Sequence, residues 1–280
     1  MYEGLTSVLA AAFAWWFSTG VLFWLIGRHP RSYRWTALWT TVLAAAATAM
    51  VVVLREETGV WSAYAGFFAG LAIWAWHESL FLLGYVSGPR RGACPEGLST
   101  WRRFLVSAQT VIHHEVGIAV HGLIIVALSW QAPNQIAAWT FLLLWGMRLN
   151  AKLVVFLGAP NISDEFLPSH LTYLSSYFGK RRITLFFPVF ITLATAVATV
   201  LTHWAVLATP GSGDAVGLWL LTSLAWLAVL EHWALVLPIP DGALWRWAQP
   251  TAARQTPPIE IPKPEADPRP LSKKQIFRRS

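Results

Sequence analysis

The chain has 280 residues, 55% hydrophobic and only 12% charged, about half of the ~25% charged fraction usual in soluble domains. Its single cysteine, Cys94, excludes an intrachain disulfide framework and a cysteine metal site. The net charge of +7 would suit a nucleic-acid binder, but the placement of the basic residues excludes that reading.

The first apolar run, near residues 5–27, precedes the first basic residue, Arg28. With no basic segment ahead of it, the run predicts a retained anchor and not a cleaved secretory signal. Further runs lie near 36–54, 59–87, 104–130, 135–158, 184–209 and 215–237. Each is long enough to cross a hydrocarbon core of ~30 Å, which takes roughly 20 helical residues. The expected fold is therefore an all-α integral membrane protein, a bundle of about seven transmembrane helices within residues 1–249. Between the fifth and sixth runs, 158–183 reads as a cytoplasmic interfacial segment. Its Phe166, Leu167, Leu171, Leu174 and Phe178 suit a short amphipathic helix. From 250 to 280, proline and charge replace apolar periodicity, which predicts a disordered cytoplasmic tail. Its Lys273, Lys274, Arg278 and Arg279 suit anionic lipid or an acidic partner surface.

Alternate loops differ sharply in charge. Taking the loops and tail together, one side of the bundle carries eighteen Lys and Arg and the other carries Arg55 alone. The positive-inside rule then predicts a periplasmic N-terminus and a cytoplasmic C-terminus, in a multi-pass protein of the inner membrane. The basic residues thus describe topology, with the lipid bilayer as the first partner and no nucleic acid. Of the eighteen tryptophans, Trp35, Trp61, Trp101, Trp130, Trp245 and Trp247 fall near run ends, as an interfacial belt requires. Trp15, Trp16, Trp74, Trp76, Trp145 and Trp226 lie deeper and suit helix packing.

The stretch TVIHHEVGIAVHG, residues 110–122, places titratable groups inside an apolar run, where each costs roughly 2.5–3.5 kcal/mol on insertion scales. His77 and Glu78 in the third run lie at a depth matching His113, His114 and Glu115 in the fourth. Arg148, Asn150 and Lys152 occupy the cytoplasmic half of the fifth, and Glu231 and His232 the cytoplasmic third of the seventh. Asp164, Glu165 and His170 follow on the loop beneath. This coincidence of depth predicts one site. Imidazoles and carboxylates are ligands for iron, manganese or zinc, which makes His77, Glu78, His113, His114, Glu115, Glu231 and His232 candidate metal ligands. Arg148, Lys152, Asn150, Glu165 and His170 are candidates for holding a cofactor such as a tetrapyrrole, its propionate or a phosphate. The spacing has neither Glu-x-x-His pairs nor histidine boxes, so a metal needs one or two ligands from each helix. His121 and His203, without acidic neighbours, read as hydrogen-bonding links between helices. No catalytic residue is assigned, and a metal-dependent membrane enzyme acting on a tetrapyrrole or isoprenoid stays open beside a binding role.

The segments HESLFLLGYVSGPRR (77–91), VIHHE (111–115), APNQIAAWTFLLLWGMRLNAKLVVFLGAPNISDEFLPSHLTYLSSYF (132–178) and ITLFFPV (183–189) resemble the PuhE family of photosynthetic complex assembly proteins in purple phototrophic bacteria. The resemblance covers roughly residues 5–240. It implies a protein of the inner, photosynthetic membrane that acts in assembly of reaction-centre and light-harvesting complexes or in bacteriochlorophyll supply. Its partners would be complex subunits, bacteriochlorophyll or pigment-biosynthesis proteins.

Overall fold

The apolar runs fold as helices whose ends carry suitable chemistry. Ser99 caps the fourth by accepting from the Arg102 N–H at 3.5 Å, and Ser212 caps the seventh by accepting from the Ala215 N–H at 3.1 Å. Asp214 adds negative charge to that same first turn. Pro188 stands in the first turn of the sixth, where a backbone N–H has no intrahelical partner to lose. Threonines inside the spans return their hydroxyls to the preceding turn, as Thr195 does to Ile191 O at 2.7 Å. A polar side chain thereby satisfies itself in an apolar setting.

The computed structural model describes residues 2–162, 167–179, 183–239 and 241–248. Its long helices are α1 (Tyr2–Ile26), α2 (Tyr33–Leu54), α3 (Val60–Leu82), α4 (Thr100–Leu128), α5 (Ile136–Leu157), α6 (Phe186–Leu207) and α7 (Gly213–Ala234), and no strand occurs among the described residues. Six of these, all but α3, are long and apolar enough to cross a membrane. α3 is equally long, but Tyr64, Trp74, Trp76, His77 and Glu78 make it more polar. The expected tail, 250–280, lies outside the described residues, as do Asp164, Glu165 and Phe166.

The polar α3 is central. Thirteen of its residues are buried against five in α4, so its Trp, His and Glu side chains meet protein. α3 packs on α1, α2, α4, α5 and α7, while α6 packs on α5 and α7. One part of the core joins Ala47 and Val51 of α2, Ile73 and Trp74 of α3, Ile118 and Ile125 of α4 and Phe141 of α5. Another is built from small residues, Ala194 and Ala198 of α6 with Ala225 and Val229 of α7. Small side chains allow the close helix approach on which packing in lipid depends.

Two expectations are modified. The third run was expected to reach 87, but α3 stops at Leu82, because Gly84 turns with φ +80° and the His170 ring hydrogen-bonds Leu82 O at 3.0 Å. The chain then lies along α4: Ser87 O accepts from the His114 N–H at 3.0 Å, and the Arg90 N–H donates to Gln109 O at 3.3 Å. Only glycine fits at 88, where a Cβ would sit 2.0 Å from Gln109 O. In the interfacial segment, Ser169–Tyr177 forms a 3-10 helix, not an α-helix. Its buried Leu171, Leu174 and Tyr177 recur every three residues, the repeat that a helix of three residues per turn aligns on one face. Arg90 Nε donates to the Tyr177 hydroxyl at 2.8 Å and Arg103 Nη2 to Tyr177 O at 2.7 Å, which ties this segment to α4.

Candidate functional site

Glu78 stands at the centre of the polar groups, with its carboxylate buried between three helices. Arg148 of α5 donates to its Oε2 at 3.4 Å, and His114 Nε2 of α4 lies 3.6 Å from its Oε1. The His114 ring is 1% exposed and rests on Phe81 with ring centres 4.6 Å apart. Neither His114 nitrogen nor Glu78 Oε1 has a hydrogen-bond partner within 3.5 Å. The contact is an ion pair only when His114 carries a proton. Buried polar atoms without partners are uncommon and point to a role other than packing.

A second pair lies beside the first. Lys152 Nζ contacts Glu115 Oε1, and the Trp145 indole donates to Glu115 Oε2 at 3.2 Å. Arg148 and Lys152 face the same way because they are four residues apart on α5. On the far side, Glu231 of α7 accepts from the Trp15 indole of α1 at 2.7 Å. Glu78, Arg148 and Glu231 line one cavity of about 200 Å³ between α1, α3, α5 and α7, with Trp15, Ser18 and Thr19 as its other polar contributors. Arg148 and Glu231 are both exposed and mark its open side. Among the described residues, Glu78, Glu115 and Glu231 meet Arg148 and Lys152 here, so charges of both signs share a dry interior.

The remaining polar groups form a separate, neutral network. His77 Nε2 and His121 Nδ1 share a hydrogen bond of 3.0 Å, and His121 Nε2 meets Thr48 Oγ1 of α2 at 3.1 Å. Trp76 and Phe141 enclose the two rings, with Trp76 4.6 Å from the His77 ring centre. α2, α3 and α4 are thereby joined without any charge.

The expected site residues thus separate by environment. Glu78, His114, Glu115, Arg148 and Lys152 come together, and Glu231 lines the same cavity as Glu78 and Arg148. His77 turns toward His121. His113 is exposed on α4, since adjacent helical positions point about 100° apart. His232 is buried, with Nδ1 2.7 Å from Ala228 O of its own helix. Asn150 is buried with its Oδ1 unpartnered, and His170 holds the end of α3. Glu165 lies outside the described residues. Among the described residues, no three His, Cys, Asp or Glu side chains are disposed to hold a metal ion. The indoles of Trp15 and Trp145, expected only to pack helices, satisfy two of the three glutamates. Their signal was a deep tryptophan at the level of a lone intramembrane carboxylate.

These features define an all-helical, multi-pass membrane protein with a charged cavity inside its bundle. The chain belongs to the family described as "Protein of unknown function (DUF3623)", whose model matches residues 1–256, and this bears out the resemblance carried by its motifs. It is 36% identical over 262 residues, 91% of this chain and 94% of the relative, to a protein of Rhodobacter capsulatus described as "Uncharacterized 30.4 kDa protein in puhA 5'region". No solved structure matches the chain.

Proposed function

We propose that the protein is an assembly factor of the inner, photosynthetic membrane, acting on reaction-centre and light-harvesting complexes or on their bacteriochlorophyll supply. The observation that carries this reading is its relative's position in the puhA region of a photosynthesis gene cluster. The working part is the cavity with Glu78, Arg148 and Glu231 and the adjoining Glu115–Lys152 pair. α3 is the seventh span in this reading, with the N-terminus periplasmic and the C-terminus cytoplasmic, as the unequal loop charges support. A reporter active only in the periplasm, fused after Asn134 or Gly213, is then active, and one fused after Gly92 is silent.

The functional test is complementation of a phototrophic strain lacking the gene. Glu78→Gln and Glu115→Gln keep side-chain volume and remove charge. Each abolishes complex formation while the protein still accumulates. Protein and complex measured in the same membranes decide the matter: normal complex levels in both variants, or levels that fall only in step with protein abundance, reject the site.

A further inference from the structure

We infer that the cavity between α1, α3, α5 and α7 binds the phosphoethanolamine headgroup of a membrane phospholipid. Glu78, Arg148 and Glu231 all line the cavity, with Arg148 3.4 Å from Glu78, so it offers charges of both signs. A purely anionic headgroup meets two carboxylates, and a purely cationic one meets a guanidinium. A zwitterion places each of its charges against an opposite one.

The donors and acceptors narrow the class further. A guanidinium carries five N–H donors in a planar fork suited to two phosphate oxygens. Arg148 contacts Glu78 through one terminal nitrogen, Nη2, at 3.4 Å, and its side chain is 46% exposed on the open side of the cavity. A primary ammonium brings three donors for carboxylate oxygens, whereas a trimethylammonium group has none.

Size and position agree. The cavity of about 200 Å³ is smaller than the ~300–1,000 Å³ taken up by drug-sized ligands. It admits a headgroup. Leu22, Leu143 and Met147 supply apolar wall next to the charges, where the glycerol end of a lipid would lie. The ligand is drawn from the bilayer around the bundle.

The inference rests on the reading of this cavity as the working site. Binding is measured on purified protein and complex formation in cells, so failure of one is distinguishable from failure of the other. The full chain, delipidated in mild detergent, is titrated with phosphatidylethanolamine, phosphatidylcholine and phosphatidylglycerol of identical acyl chains. Adducts are counted by native mass spectrometry. Phosphatidylethanolamine is expected to bind about tenfold or more tightly than either competitor, the ratio set by one charge-assisted contact. Arg148→Gln and Glu231→Gln each remove that preference, and Arg55→Gln, remote from the cavity, keeps it. Ala151→Leu fills the cavity without changing its charge and also abolishes the preference, so the test survives if a charge variant does not fold. Soluble O-phosphoethanolamine competes only weakly, because the acyl chains hold the lipid in the bundle. Equal binding of the three lipids, preference for phosphatidylglycerol, preference persisting in folded Arg148→Gln or Ala151→Leu, or binding of the soluble compound in place of the lipid each overturns the inference.

Discussion

Two polar networks cross the same bundle and solve the problem of polarity differently. The His77–His121–Thr48 network is neutral, and its contacts at 3.0 and 3.1 Å use one nitrogen of His77, both of His121 and the Thr48 hydroxyl. The network around Glu78 and Glu115 is charged, its contacts from Glu78 to Arg148 and His114 are long at 3.4 and 3.6 Å, and the buried His114 Nδ1 has no hydrogen-bond partner. A satisfied neutral network joins helices at low cost. A charged one with long contacts and an orphaned nitrogen gives up stability, which is the signature expected where a site is held ready for something else.

Glu78→Ala sharpens that contrast most. It leaves Arg148 without its nearest carboxylate, at the lower end of the ~3–5 kcal/mol cost of breaking a buried pair because Arg148 has an exposed side. Unfolding in detergent with increasing denaturant reads the loss, and an unchanged midpoint shows that the pair carries no structural weight. Next in size is the coupling between Glu115 and Lys152. A double-mutant cycle of Glu115→Gln and Lys152→Met is expected to give about 1–3 kcal/mol, the upper part of the range for directly contacting residues. Additive effects would place the pair with weak surface contacts.

His121→Leu belongs to the neutral network and is expected to cost about 0.6–1.7 kcal/mol, as interhelical hydrogen bonds in membranes do. Its effect on photosynthetic complexes should follow protein abundance alone. Complex loss at normal abundance would erase the distinction between the two networks. Thr48→Val is smallest, at roughly 0.6 kcal/mol, because the Thr48 hydroxyl also bonds Ala44 O within its own helix at 2.8 Å.

Much of this architecture was legible along the chain. All seven long helices coincide with apolar runs, because a run of that length has few alternatives in lipid. The matched depth of Glu78 and His114 was legible too, since helical rise converts residue number directly into height. Rotation about the helix axis was not. His113 and His114 are neighbours in sequence, yet one is exposed and the other 1% exposed, and only packing decides which faces inward. Crossing angles were equally hidden: His121 reads as a hydrogen-bonding link between helices, which it is, but its partners His77 and Thr48 do not follow from the sequence. The central place of α3 was hidden for a related reason: the order of the runs along the chain does not say which helix the others pack around. The shortened end of α3 depended on His170, far downstream, which no local signal reveals.

The closest partners of α1 are the last to be made. Glu3 accepts from the Gly211 N–H at 2.7 Å, Trp15 reaches Glu231 across 216 positions of sequence, and Trp245 donates to Trp16 O at 3.1 Å. Synthesis at ~5–20 residues per second separates such partners by roughly 10–40 s. Throughout that interval the first helix stands in the bilayer with its indoles and its Glu3 unmatched, and only the arrival of α7 and the segment after it closes the ring. Biogenesis is therefore discontinuous: the α1 wall and the α7 wall of the cavity are laid down 216 positions apart, and the pocket comes into being only once α7 has been made.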